Sequence, residues 1–342
     1  SAIAQAYNHM ILPLANGRDR ITQVIWGMRD FEHHFGRPPE GMWLPETAVD
    51  IETLDVMASC GIRFTILSQC QAARVRPSGG EWQDVSGGRI DPTAAYRCAL
   101  PSGRSIALFF YDGAVAHDVA FRTLLSAGES FAQRLLGCLS DNTSRPQIVH
   151  IATDGGTYGH HQHRGDMALA YALHAIESRD DVSLTNYGEF LEKHPPVSEV
   201  EIHERTSWSC AHGVDRWYRD CGCNSGGRPR WNQQWREPLR NALDWLRDTL
   251  AEAYEREARA LLKDPWAARD DYIAVILDRS PGNVEAFLSR HARRRLSSEN
   301  RVRALKLLEM QRHCLLMYTS CGWFFDELSG LETVQVLQYA GR

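Results

Sequence analysis

No apolar run in the 342 residues reaches the roughly 18 needed to span a bilayer, so no membrane partner is expected. No Lys or Arg precedes the apolar residues of the N-terminal "SAIAQAYNHM", which therefore does not read as a secretory signal. An initiator Met is absent too, which suggests a processed, tagged or truncated product. A basic surplus is missing: 38 Lys and Arg against 43 Asp and Glu leave a net charge of −5. That argues against a nucleic-acid partner, and the charge is too small to imply a polycationic one. No repeat of 20 to 50 residues is visible, and "SGGEWQDVSGGR" is at most a short flexible excursion. The nine cysteines are odd in number and lack an export signal, so they read as reduced thiols of a cytoplasmic protein.

The chain does have the 43% hydrophobic and 24% charged residues of an ordinary globular protein, enough for one large domain or two medium ones. Ten Trp is a high count. Flat rings cover the apolar face of a sugar, and they equally serve as core and surface filler.

Up to about residue 200 the pattern alternates. "MWLPE" leads to the amphipathic "DIETLDVMASCG". "IRFTIL" and "IALFFYDG" read as strands, and a long helical pattern, "HDVAFRTLLSAGESFAQRLLGCL", follows. "IVHIATDGG" reads as another strand, "RGDMALAYALHAIES" as a helix and "VSLTNYGEF" as one more strand. Strand and helix in alternation predict a parallel α/β sheet or barrel. Residues 205 to 235 are rich in Trp, Arg, Gly and Cys and read as a long ordered loop. From there the spacing of Trp235, Leu239, Ala242, Leu246 and Leu250 is helical, as is that of Leu307, Met310, Cys314, Met317 and Cys321. Cys314 and Cys321 are expected in the core. The expected division is 1–204, 205–235 and 236–342.

Three expected strands end in a carboxylate, at Glu46, Asp112 and Asp154. In parallel α/β folds such ends gather on the ligand-binding face. Two convergent carboxylates suit glycoside hydrolysis, in which one is ionised and the other holds a proton. The alternative reading of each is a cap on the next helix. In "TDGGTYGHHQH", Gly155 and Gly156 permit a sharp turn, and Tyr158, His160, His161 and His163 would line the same mouth. These histidines suit sugar hydroxyls, a metal or plain solvent.

"GMWLPETAVD" and "IATDGGTYGHH" together resemble two signature regions of glycoside hydrolase family 57, which contains α-amylases, glucanotransferases and branching enzymes acting on α-glucans. The resemblance implies an incomplete (β/α)7 barrel, possibly lacking its first strand, with a C-terminal helical domain that closes over the site. It makes Glu46 the nucleophile and Asp154 the acid/base of a retaining enzyme that needs no cofactor. Partial burial and the neighbouring Glu46 charge are expected around Asp154. "AYNHMILPL" resembles the family's second region and places His9 at the sugar. "LFFYDGAVAHDVAF" resembles the segment carrying Asp112 and Asp118. "LLMYTSCGWFFDELSG" resembles the last region, with Trp323 and Asp326. Trp43 would pack beside Glu46 or face the sugar. The family's first region, a His-Gln-Pro type motif, is absent, so the chain is expected to begin beyond it.

"WSCAHGVDRWYRDCGCN" resembles an uncharacterised bacterial subgroup. Cys210, His212, Cys221 and Cys223 form C-x-H-x8-C-x-C, whose ligand types suit a tetrahedral zinc although its spacing matches no common zinc ribbon. The alternative is a reduced packing or substrate loop, and no metal site is assigned. Trp208, Trp217, Arg216 and Arg219 are candidate sugar platforms and donors. The expected partner is a carbohydrate. Two rivals remain: a metal-dependent carbohydrate deacetylase using Asp154 with two of His160, His161 and His163, and a non-catalytic glucan-binding relic.

Overall fold

A computed structural model describes residues 2–141 and 145–342. The chain divides into two compact units: Ile62–His203, and Ala2–Gly61 together with Glu204–Arg342. The break at residue 203 lies where the composition changes. Residues 2–61, expected with the barrel part, cluster instead with the C-terminal residues.

The first unit is built on a six-stranded sheet. Its order is Phe64–Ser68, Ser105–Tyr111, Ala95–Ala99, Ser198–Ile202, Ala72–Arg76 and Gln83–Asp84. The pairing is mixed rather than all parallel: Phe64–Ser68 runs parallel to Ser105–Tyr111, and Ala95–Ala99 antiparallel to it. The reason is local. Leu100 and Arg104 close a tight turn with Gly103 at φ 81°, and a short turn can join only antiparallel neighbours. The central strands are buried on both faces, from Phe64 through Leu67 and from Leu108 through Phe110, with Thr65 the one polar residue among them.

Three expectations fail in this unit. "IVHIATDGG" is not a strand; it lies beside the sheet through Ile148 N–H to Thr93 O and His150 O from Asp112 N–H, both 3.0 Å. "VSLTNYGEF" ends in a helix, Tyr187–Lys193, whose cap Asn186 accepts from Glu189 N–H. Asn followed three residues later by Glu is a start signal, and here it outweighs the β-rich run before it. The pattern from His117 to Leu139 forms two helices, Gly113–Phe121 and Gly128–Leu136, with a short 3-10 turn, Leu124–Ser126, between them. Gly165–Glu177 packs on Gly128 so closely that a Cβ there would meet Tyr171 Cβ at 2.6 Å.

The second unit is mostly helical. Its first helix, Gly17–Phe35, starts at Asn16, whose side chain accepts from Asp19 N–H, and stops at Gly36 with φ 65°. Gly27 on this helix sits against strand Ala4–Gln5; a Cβ would stand 1.9 Å from Gln5 O. Ala4–Gln5 pairs in parallel with Met42–Trp43, the short strand that leads to Glu46. Arg236–Ala258 and Ser298–Leu316 are the long C-terminal helices. Cys314 is buried as expected. Cys321 is not, because the helix ends at Leu316 and Cys321 starts a separate short helix with its side exposed. Among the described residues, no helix is long and apolar enough to cross a membrane.

Candidate active site

Glu46 sits in a one-turn 3-10 segment, Pro45–Thr47, directly after the strand. Pro45 fixes the entry, and both Glu46 (φ 59°) and Thr47 (φ 51°) are left-handed. Left-handed backbone costs a residue with a Cβ about 1–2 kcal/mol. Two such residues in succession persist only where surrounding contacts hold them. Those contacts come from residues 204–209, which run alongside. Val49 and Thr206 exchange backbone hydrogen bonds, and Trp208 N–H donates to Glu46 O at 3.1 Å. The Trp208 and Ser209 side chains then reach the carboxylate: Trp208 Nε1–H donates to Oε2 at 2.8 Å and Ser209 Oγ–H at 2.7 Å. Both land on one oxygen, and among the described residues Oε1 receives none. Trp43 meets Trp208 edge to face, with centroids 5.2 Å apart. Trp43, Glu46 and Trp208 are each half-buried.

His9, also left-handed at φ 54°, pairs its Nδ1 with Ser320 Oγ at 2.5 Å, and Ser320 N–H donates to His9 O. Trp323 is 1% exposed, its Nε1–H on Met317 O and its ring stacked against Trp235. It has no face to offer a sugar, so the direct contact expected of it gives way to a supporting one. Asp326 is 2% exposed. It accepts from Ser225 N–H (2.7 Å), Ser225 Oγ–H (2.5 Å) and Gln233 Nε2–H (2.8 Å). Burial works to raise its pKa, but these hydrogen bonds outweigh it and hold the carboxyl below the usual range. Asp326 thus fastens the 205–235 loop rather than facing substrate. Trp217 and Arg216 are buried as well, Arg216 lying 4.2 Å over the Phe324 ring, so neither is a sugar platform. Arg219 is exposed and pairs with Asp215 at 2.8 Å.

The same loop brings Cys210, His212, Cys221 and Cys223 together, with one ligand atom of each within 4.8 Å of the others. The sequence offered the right residue types, but its spacing hid the convergence.

In the first unit, Asp154 precedes the 3-10 turn Gly155–Thr157, and its side chain makes no cap hydrogen bond. Its carboxyl is exposed, not partly buried as expected. Tyr158 accepts from Thr153 Oγ–H at 3.1 Å, and the exposed His160 and His161 rings lie 4.7 Å apart. Gly159, at φ 128°, takes the conformation reserved for glycine; Gly155 and Gly156 do not. Asp112 is a helix cap, accepting from Val115 N–H at 2.9 Å, and Asp118 pairs with Arg122 and Arg134. Among the described residues, Asp154, His160, His161 and His163 do not gather three ligand atoms.

Several solved structures share the fold of this chain. An exo-type maltose-forming amylase from Pyrococcus sp. ST04 superposes with a TM-score of 0.78 at 15% identity, over 99% of this chain and 60% of that one. A branching enzyme from Thermococcus kodakaraensis gives 0.56 at 17%, over 99% and 62%. A 4-α-glucanotransferase from Thermococcus litoralis gives 0.56 at 15%, over 99% and 46%. The chain thus spans less than two thirds of each. No curated protein matches the sequence. Residues 2–203 match the model of glycosyl hydrolase family 57, and residues 231–342 that of a domain of unknown function, DUF3536. The chain belongs to glycosyl hydrolase family 57.

Proposed function

We propose that the chain is a retaining glycoside hydrolase or transglycosylase acting on an α-glucan or a related α-linked sugar, with Glu46 as nucleophile and Asp154 as acid/base. The observation that carries this reading is the double donation from Trp208 and Ser209 to Glu46 Oε2. It fixes the carboxylate through one oxygen and leaves Oε1 to attack. The two donations are charge-assisted, which makes them stronger than neutral hydrogen bonds. A left-handed glutamate held in this way stores strain that core packing does not need.

In the first step a Glu46 oxygen bonds to the anomeric carbon as the glycosidic C–O bond breaks. Asp154 gives its proton to the departing oxygen. In the second step Asp154 takes a proton from water or a sugar hydroxyl, whose oxygen displaces Glu46 from the anomeric carbon. Both steps need the exposed Asp154 carboxyl to meet substrate, and its freedom from helix capping supports that role. Tyr158 and His160, on the same turn, would supply hydroxyl contacts.

The test is an E46Q variant assayed on maltooligosaccharides, with azide rescue of E46G. Loss of turnover in E46Q, with a glycosyl azide released by E46G, supports the reading. Wild-type protein that binds the oligosaccharide without turning it over supports the binding relic instead.

A further inference from the structure

We infer that Cys210, His212, Cys221 and Cys223 hold one zinc ion that staples the loop behind Glu46. A tetrahedral zinc with Zn–S bonds of about 2.3 Å and Zn–N bonds of about 2.0–2.1 Å sets its sulfurs roughly 3.8 Å apart and sulfur from nitrogen roughly 3.5 Å. Here Cys210 Sγ and Cys223 Sγ are 3.9 Å apart, and Cys223 Sγ lies 3.4 Å from His212 Nδ1. A disulfide would need about 2.05 Å, so these sulfurs have the spacing of ligands to a shared ion. The cluster is the only one of its kind among the described residues, although the chain has nine cysteines.

The surroundings match the charge. Three thiolates outweigh a zinc dication by one negative charge. The fully buried Arg236 supplies a cation, its Nη1 lying 3.9 Å from Cys221 Sγ. Its Nη2–H groups donate to Phe324 O at 2.8 Å and Phe325 O at 3.0 Å, which holds the guanidinium in place. An outer partner of this kind fixes a ligand and tunes the metal.

The position gives the site its purpose. Between strand Ser198–Ile202 and helix Arg236–Ala258 the chain has one short 3-10 turn, Asp215–Trp217, and no other regular structure. A loop of this length needs an anchor to stay ordered. Cys210 directly follows Ser209, which donates to Glu46, and Cys223 stands two residues before Ser225, which donates to Asp326. The ion therefore ties the end of the segment that aims the Glu46 carboxylate to the segment that fastens Asp326. Its role as a positioning device rests on Glu46 being the nucleophile; the binding of zinc does not. As the ion binds, the three thiols release their protons to solvent.

The untagged chain, purified under reducing conditions from zinc-supplemented cells, is expected to carry one zinc per molecule by elemental analysis. Replacement by cobalt(II) should give the intense visible bands of tetrahedral thiolate coordination. Alkylation should spare three thiols until a chelator is added. C221S and C223S should each lose most of the metal. A wild-type chain free of metal, cobalt bands that are absent or survive in C223S, or a Cys210–Cys223 disulfide in the reduced preparation overturns the site. These readings use the wild-type chain and need no glucan turnover. A zinc-loaded chain without activity would sink the hydrolase reading and leave the metal site standing.

Discussion

The Trp208 indole donates to the same Glu46 oxygen that Ser209 does, from a segment 162 residues further along the chain. Replacing Trp208 by Phe keeps the edge-to-face contact with Trp43 but removes one charge-assisted donor. Such a hydrogen bond is worth about 1.5–3 kcal/mol. W208F should therefore lower kcat roughly 10- to 100-fold with a smaller change in KM, and S209A should do likewise. Steady-state kinetics on a maltooligosaccharide decide it. A rise confined to KM would mean that Trp208 touches substrate and does not hold Glu46.

Asp326 is fastened by Ser225 and Gln233, so D326A leaves the buried Gln233 amide without its acceptor and frees the loop at Ser225. The expected loss of stability is about 2–4 kcal/mol, read from urea denaturation. The pH dependence follows from the depressed pKa. The carboxylate contributes fully above the ordinary aspartate range, and the contribution fades as pH falls through the lower folded-state value. D326N should flatten the acid side of the stability curve, and an unchanged acid limb would contradict the assignment.

Glu46 was legible because it breaks the grammar of a strand: an apolar run, a proline and then a charge. Asp154 stands out as a charge between a strand-like run and two glycines, although that run forms no strand. What the sequence does not display is who holds them. Trp208 is visible as an aromatic in a polar loop, but its partner is 162 positions away and no periodicity links the two. Trp323 and Asp326 were readable as members of a recurring motif, yet their burial comes from the 205–235 loop folding over them. The same loop draws the four Cys and His ligands together despite their unfamiliar spacing. Local rules did better where the signal is local. Asn16 and Asp50 start helices as caps should, and Asn186 with Glu189 carries a local helix-start signal that overrides the β-rich run before it.

Arg269 and Asp19 form a nearly fully buried ion pair at 2.7 Å. The guanidinium also donates to Arg18 O at 3.0 Å and Thr22 Oγ1 at 2.7 Å, so it ties helix Gly17–Phe35 to helix Pro265–Asp271. Removing one member strands the other charge away from water, at a cost of about 3–5 kcal/mol. D19A should show that full loss in chemical denaturation. The double variant D19A/R269M should be more stable than D19A alone, because it leaves no unpaired buried charge. Additive losses would show that each group acts through packing, not through the pair.

His150 lies under the sheet of the first unit, 9% exposed, its ring against Phe109 and Tyr187 and its Nδ1 3.1 Å from Tyr187 Oη. Burial pushes its pKa down to about 4, against the opposing influence of the Pro92 backbone and the Asp112 charge. Since the folded value lies below the unfolded 6.5, the unfolded chain binds more protons between those limits. Stability should therefore fall as pH drops through that window and the penalty should be complete below about 4. At about 1.4 kcal/mol per pH decade, the loss assigned to this one side chain is about 3 kcal/mol. Carboxylates titrate in the same range, so the measurement is a difference: urea midpoints of wild type and H150Q at pH 7, 5.5 and 4. The variant should begin less stable, since it disturbs an aromatic cluster, and then lose less on acidification. Parallel curves would show that His150 takes up its proton in the folded chain as readily as in the unfolded one.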